Sequence, residues 1–286
     1  MANQRLMKGI FLMFLASIAF ALMGACVKAI PSGLSVAEVV WFRSAVALVL
    51  LVPWMLWRKI SFRGRHPFFL SLRALAGALA IFCYCFTVRR LNLATAVVLN
   101  YTSPIFVMLL SIPFLKEKIS WNLTIPLFIS FIGIVCLALP ELSFRGLPFS
   151  AGLAAGFLAA VAYVTISYLG RFESPLTVVF YFTLWSLILS TPLLLGRFRE
   201  PTSADWTFLV GAGLFGLVGQ WGMTNAYFHG PAPVISVFSC ITPLVAYLLG
   251  LFFWQEKLSP LTTIGILLII AGSVLLSVRY HKTRGV

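Results

Sequence analysis

The sequence predicts an all-α integral membrane protein of ten transmembrane helices, arranged as two inverted five-helix repeats. Three observations predict it: an apolar composition, ten long apolar runs and an internal repeat. Hydrophobic residues make up 61% of the 286 residues, charged residues make up 10%, and the mean hydropathy is +1.02. A soluble domain has about 25% charged residues. This chain is too poor in charge to cover a surface in water, so we expect a single integrated membrane domain.

Short turns containing charged residues, Pro or Gly separate ten apolar runs. A helix needs about 20 apolar residues to cross a bilayer, and these runs are too long and uniformly apolar for barrel strands. The first run follows Lys8 and resembles a signal peptide, but Met23 fits a cleavage site poorly, so we expect an uncleaved span. We predict spans at residues 8–29, 35–57, 68–88, 92–114, 121–139, 149–169, 175–195, 205–226, 231–254 and 259–279.

The net charge of +14 has two possible explanations. One is nucleic-acid binding, and the other is the excess of basic residues in the cytoplasmic loops of membrane proteins. The basic residues sit in short turns, as membrane insertion requires, and form no stretch suited to a nucleic-acid groove. Of the 21 Lys and Arg residues, alternate loops place 13 on the side of the termini and seven on the other, with Arg43 inside a span. We therefore expect cytoplasmic termini in the cell inner membrane, and no nucleic-acid partner.

Sites for cofactors or covalent chemistry are not evident in the sequence. All five cysteines fall inside apolar runs, at spacings that suit no metal site, and behave as small packing residues. No Walker motif or nucleophile elbow occurs. We expect no metal, no cofactor and no enzymatic activity.

An internal repeat relates the two halves of the chain. Positions 91–138 fall on positions 230–277 without a gap, and we place the repeats at residues 1–139 and 149–279. Each repeat holds five spans, an odd number, so the second enters the membrane from the opposite side. Inverted repeats of this kind recur in secondary transporters, where the binding site lies at the repeat interface. The matches include Pro104 with Pro243, Phe114 with Phe253, Glu117-Lys118-x-Ser120 with Glu256-Lys257-x-Ser259, and Gly133 with Gly272.

One short pattern occurs twice within the ten spans. It consists of Leu91-x-x-Ala94-x-Ala96, then Pro104-Ile105-Phe106, then Leu115-x-Glu117-Lys118, with echoes at Pro243 and Glu256. These two copies resemble the EamA-type members of the drug/metabolite transporter superfamily. The resemblance covers nearly the whole chain and implies a ten-helix bundle with both termini inside. It also implies a central cavity, lined mainly by the first four helices of each half.

Arg43 is the first candidate site residue. The segment Glu38-x-x-x-Phe42-Arg43, with Leu72-Arg73 after it, is similar to the S-adenosylmethionine uptake branch of the superfamily. Arg43 lies roughly 10 Å deep in its span, where a charge indicates function unless the side chain reaches back to the interface. Glu38 is five residues away, on another face of the helix, so Arg43 needs a different partner. We expect Arg73, near the start of its span, to act as an interfacial anchor.

Pro104 and Pro243 mark the other candidate region. Each falls inside a span, where proline removes a hydrogen bond and kinks the helix. Polar residues precede both prolines, and such a kink lines either a cavity or a helix contact made by small residues. The candidate substrate-binding or gating residues are Arg43, Glu38, Tyr84, Asn100, Tyr101, Ser103, Pro104, Gln220, Trp221, Ser239 and Pro243.

The sequence therefore favours a secondary transporter or exchanger of a small organic metabolite, such as an amino acid or S-adenosylmethionine, working by alternating access. A lipid-modifying membrane enzyme is one alternative, but we find no polar catalytic cluster. A structural membrane protein is another, but it gives no reason for a polar, kinked centre. The expected partners are a small-molecule substrate and the lipid bilayer, with a homodimer left open.

Overall fold

A computed structural model describes residues 2–31, 33–115, 124–142, 146–195, 198–239, 241–255 and 259–283. Within these ranges the regular structure is helical throughout, and strands are absent. A short 3-10 turn, Thr191–Leu194, follows the eighth helix. The α-helices are α1 Ala2–Ala29, α2 Val36–Trp57, α3 Pro67–Val88, α4 Leu93–Asn100, α5 Ser103–Leu115, α6 Thr124–Leu142, α7 Gly146–Leu169, α8 Pro175–Ser190, α9 Ser203–His229, α10 Ala232–Phe238, α11 Ile241–Trp254 and α12 Pro260–Thr283.

Every predicted span coincides with one helix or with a pair of helices. Of these, α6, α9 and α12 do not reach the length and hydropathy of a full crossing in the described residues. Helix α9 contains several glycines and Gln220, which do not add to its hydropathy. The chain is thus a multi-pass membrane protein, and ten crossings remain a prediction. The seven segments long and apolar enough to cross are Gln4–Ala29, Val36–Trp57, Pro67–Val88, Leu93–Phe114, Gly146–Leu169, Pro175–Leu194 and Ala232–Trp254.

The two spans predicted to kink are broken instead. Helix α4 ends at Asn100 and α5 begins at Ser103, so Pro104 lies in the first turn of a new helix. A proline ring clashes with the carbonyl four residues earlier, and for Pro104 that residue is Asn100. The same offset places the break between α10 and α11 before Pro243. Each half therefore has one discontinuous span, interrupted on the N-terminal side of its proline.

The two halves interlock. Helix α1 packs mainly against α9, the third helix of the other half, and α7 packs mainly against α3 in the same way. Helix α2 contacts α8, and α6 lies along α12. The first helix of each half therefore packs mainly against a helix of the opposite half.

One glycine in α6 faces a backbone oxygen of α12, and one glycine in α12 faces a backbone oxygen of α6 in the same way. A Cβ added at Gly133 would lie 2.8 Å from the carbonyl oxygen of Gly265, and one added at Gly272 would lie 2.8 Å from that of Pro126. In the register of the internal repeat, Gly133 corresponds to Gly272 and Pro126 corresponds to Gly265. Contacts exchanged in this way are those that a two-fold axis generates.

Candidate functional site: two buried arginines around a central cavity

A small cavity lies between the halves, beside the break that ends α4. Its volume is about 50 Å³, enough for a few water molecules and far below the 300–1,000 Å³ or so of a typical ligand site. Helices from both halves contribute to its wall. The lining includes Phe20, Met23, Arg73, Gly77, Ala80, Ile81, Tyr84, Asn100, Tyr101, Ala159, Ala162, Tyr163, Phe182 and Gln220.

Arg73 reaches this cavity from α3. Its relative exposure is only 1%, and its Nη2 donates a hydrogen bond of 2.6 Å to Oε1 of Gln220 on α9. Its guanidinium carbon lies 4.4 Å from the centre of the Phe182 ring, within the range of a cation–π interaction. Its Nε and Nη1 have no hydrogen-bond partner. Arg73 is therefore a buried cation held in place by one amide and one ring, and the expectation of an interfacial anchor is wrong.

Arg43 approaches the opposite half from α2. It is 2% exposed, and its guanidinium carbon lies 5.7 Å from the centre of the same Phe182 ring. Its Nε and Nη2 have no hydrogen-bond partner. Gly216 on α9 leaves space for it, since a Cβ there would lie 3.0 Å from Nη1 of Arg43. Burial this complete shows that Arg43 does not reach back to an interface.

No acid compensates the two arginines in the described part of the chain. Of the seven acidic residues, the buried ones there are Glu38, Glu173 and Asp205, and all three bind backbone N–H groups at helix ends. Because both guanidinium groups lie over one ring, their separation cannot exceed the sum of the two distances above. At an effective dielectric constant of about 20, their repulsion is then at least about 1.5 kcal/mol. Burial of each charge costs several kcal/mol more. The site is thus an electrostatically costly one.

Arg43 and Phe182 occupy equivalent positions in the two repeats, in the same register that places Gly133 on Gly272. The glycines that face them are equivalent as well. A Cβ at Gly77 would lie 2.9 Å from the Phe182 ring, while one at Gly216 would meet Arg43. One half therefore supplies a cation, and the other half supplies the aromatic ring that the cation contacts.

Of the residues proposed from sequence, the structure gathers four at the cavity and places Arg43 against Phe182 in its wall. The others lie elsewhere. Tyr84, Asn100, Tyr101 and Gln220 line it. Trp221 turns away toward Trp54, with ring centres 5.6 Å apart. Four further candidates lie at the breaks between α4 and α5 and between α10 and α11. Ser103, Pro104 and Pro243 are buried there, and the Ser239 hydroxyl donates to the Ser236 carbonyl at 2.5 Å.

The wall residues that sequence reasoning missed include Arg73, Tyr163 and Phe182. For Arg73 a signal existed, because it is the seventh residue of α3 and nearly as deep as Arg43 in α2. Phe182 could have been found because it occupies the position of the second repeat that is equivalent to Arg43. Nothing distinguishes Tyr163 in the sequence, since its position depends on how α7 packs against α3.

Glu38 lies outside the cavity and connects segments at one end of the bundle. Its Oε2 accepts from the Ser35 N–H at 2.6 Å, which completes a capping box at the start of α2. Its Oε1 accepts from the backbone N–H of Arg199 at 2.6 Å. The first bond is local, whereas the second joins the first half to the second. A groove of about 640 Å³ lined by Arg89, Arg90 and neighbouring residues opens beside it.

Glu173 makes a corresponding contact at the other end of the bundle. Its Oε1 accepts from the backbone N–H groups of Arg65 and His66, at 2.6 and 2.7 Å, and its side chain is 4% exposed. Thr177 adds a 3.0 Å bond to the Ser61 carbonyl. These contacts again join one half to the other. Helix α2, 22 residues long, begins at the Glu38 contact and ends near the Glu173 contact, so the two lie about 30 Å apart.

Comparison with known proteins identifies the class of protein that holds this site. The model of the EamA-like transporter family matches twice, at residues 7–139 and 147–278. The pseudopaline exporter CntI of Pseudomonas aeruginosa is 31% identical over 97% of this chain and 98% of its own. Human solute carrier family 35 member G1 is 25% identical over 95% of this chain and 79% of its own. An S-adenosylmethionine uptake transporter of Rickettsia bellii is 21% identical over 83% and 82%.

One solved crystal structure shares the fold, with a TM-score of 0.67, 18% identity and coverage of 99% of both chains. The two family matches together span nearly the whole sequence, so the family resemblance predicted from sequence is confirmed. The protein is a transmembrane transporter of small molecules rather than an enzyme, and it belongs to the EamA-like transporter family.

Proposed function

We propose that this protein is a secondary transporter that carries a small organic anion across the bacterial inner membrane by alternating access. Ten transmembrane helices form two inverted repeats, at residues 1–139 and 149–279, and both termini face the cytoplasm. The substrate binds between the repeats, at the cavity walled by Arg73, Phe182 and Gln220, with Arg43 beside it.

The reciprocal packing of the halves supports the inverted repeat. Gly133 and Gly272 are equivalent positions of the two repeats. Gly133 faces the carbonyl oxygen of Gly265, and Gly272 faces that of Pro126, which is the position equivalent to Gly265. The crossing of α1 against α9 is repeated by α7 against α3. Both features follow from a pseudo-two-fold axis in the membrane plane, the arrangement found in many secondary transporters.

We infer a negatively charged substrate from the two buried guanidinium groups, whose donors lack hydrogen-bond partners. A charged side chain inside a membrane protein marks a functional site by default. A bound anion would satisfy the donors of Arg43 and Arg73 and offset their repulsion. The two Glu contacts support alternating access, because each ties one half to the other at a different end of the bundle. With both contacts formed, the cavity is small, about 50 Å³.

The relatives leave the direction of transport open. CntI is named as an exporter and the Rickettsia protein as an uptake transporter, so the family includes both directions. Direction in this chain therefore depends on its own gradients and coupling, which flux measurements can define.

The Arg43→Lys variant tests the proposal in proteoliposomes. Lysine keeps the charge but cannot form the paired hydrogen bonds of a guanidinium. Loss of one such charged bond, worth about 1.5–3 kcal/mol, predicts a 10- to 100-fold fall in the uptake of labelled organic anions. Arg58→Lys is the matched control, since Arg58 is exposed at the end of the same helix and stacks on Trp57. Equal flux in both variants would exclude the role of Arg43, and absence of any solute flux in the unmodified protein would exclude transport by this chain alone.

A further inference from the structure

We propose that Arg43 and Arg73 bind two anionic groups of one substrate, so that the carried molecule is a short-chain dicarboxylate. This inference rests on the proposed transport function and specifies the substrate of the same site. It starts from the donors that the fold leaves unused. Four guanidinium nitrogens are buried without a partner: Nε and Nη2 of Arg43, and Nε and Nη1 of Arg73.

The two arginines are not equivalent donors. The Nε and Nη2 of an arginine lie on one edge of the guanidinium plane and together match the two oxygens of a carboxylate. In Arg43 this whole edge is unpartnered. In Arg73 the same edge is divided, because Nη2 already donates to Gln220. Arg43 is therefore set for a bidentate carboxylate, whereas Arg73 offers single bonds to a second anionic group.

Charge balance favours two anionic groups over one. Both guanidinium groups are buried, both lie over the Phe182 ring, and neither forms an ion pair with a described residue. A monocarboxylate neutralises one of them and leaves the other uncompensated. A zwitterionic amino acid adds an ammonium group that both arginines repel. A dicarboxylate neutralises the pair.

The spacing favours a short molecule. The two guanidinium carbons lie 5.7 Å and 4.4 Å from the same ring centre. Their separation therefore cannot exceed the sum of these distances, and a short chain can reach both. The cavity of about 50 Å³ has to widen before any organic molecule enters. Tyr84, Tyr163 and Asn100 line it and provide neutral hydrogen-bonding groups for the remaining carboxylate oxygens.

The test is a comparison of ligands that differ in a single carboxylate. Purified protein in lipid nanodiscs is titrated with succinate, glutarate and butyrate, and binding is followed by calorimetry. We expect succinate or glutarate to bind at least tenfold more tightly than butyrate. Inorganic phosphate, a single compact anion, should bind no better than butyrate. If butyrate or phosphate binds as tightly as both dicarboxylates, or if neither dicarboxylate binds, the proposal is wrong.

The Arg73→Gln variant assigns the second group. It should reduce the ratio of succinate to butyrate affinity to about one, because succinate loses the partner of its second carboxylate. An unchanged ratio would overturn the role of Arg73. The ligand comparison on the unmodified protein decides the main proposal even if this variant does not fold.

Transport is measured separately, so the two proposals can fail independently. Dicarboxylate binding without flux in proteoliposomes would support the proposed binding site and reject the proposed transport mechanism. Flux of a monocarboxylate or another organic monoanion without dicarboxylate binding would support the transport of organic anions and reject this substrate class.

Discussion

Removing the Glu173 carboxylate should open the bundle at the end that carries the termini. In Glu173→Ala the backbone N–H groups of Arg65 and His66 lose their acceptor. Each hydrogen bond to a charged group contributes about 1.5–3 kcal/mol, and water replaces part of it once this end opens. A net loss of about 3 kcal/mol from the closed state shifts the ratio of open to closed molecules roughly 100-fold.

Cysteine labelling from one side of the membrane measures this shift. The reporter is Tyr101→Cys, which lies in the cavity wall, in a chain whose five native cysteines are replaced. A membrane-impermeant thiol reagent applied from the side of the termini should react up to about 100 times faster in Glu173→Ala, and added substrate should slow the reaction.

Glu38→Ala is the matched control, because Glu38 bonds to Arg199 at the other end of α2. It should raise labelling from the opposite side and leave the first side unchanged. Glu173→Gln keeps the carbonyl acceptor and should have a smaller effect than Glu173→Ala. If Glu173→Ala accelerates labelling equally from both sides, it has loosened the bundle as a whole and the reasoning fails. Unchanged labelling from either side would also refute it.

The remaining predictions concern packing and orientation. Gly133→Ala and Gly272→Ala should each destabilise the protein by about 1–3 kcal/mol, because the added methyl group meets a backbone oxygen at 2.8 Å, and thermal unfolding should show similar losses for both. Gly146→Ala, which meets nothing within 4 Å, should not lower the melting temperature, and an equal loss there would show that the α6–α12 contact is not special. A C-terminal alkaline phosphatase, active only in the periplasm, should be inactive, and strong activity would reverse the proposed orientation.

The positions of the helices could be predicted because long apolar runs and prolines act locally. The sequence predicts a kink where α4 and α5 are in fact separate, since it locates Pro104 but does not show whether neighbouring helices will satisfy the freed backbone groups. The capping role of Glu38 was readable from Ser35-x-x-Glu38 ahead of an apolar run, although the bond to Arg199 was not.

The centre of the site was harder to predict because it depends on packing between the halves. The Arg73 contacts to Gln220 and Phe182 come from residues more than 100 positions away along the chain. Trp221 neighbours Gln220 in sequence but points toward Trp54, since adjacent residues on a helix face in different directions. Glu117 and Glu256, which the internal repeat pairs, lie outside the described residues.

The contact between Arg43 and Phe182 also bears on how a duplicated gene could evolve. Immediately after a duplication both positions would carry the same residue. Two arginines there would repel each other, and two phenylalanines would lack a charge for the substrate. Under the proposed function, divergence at this one position would turn a symmetric scaffold into an asymmetric binding site. It also makes the two halves mutually dependent, so that neither half could be replaced by a copy of the other.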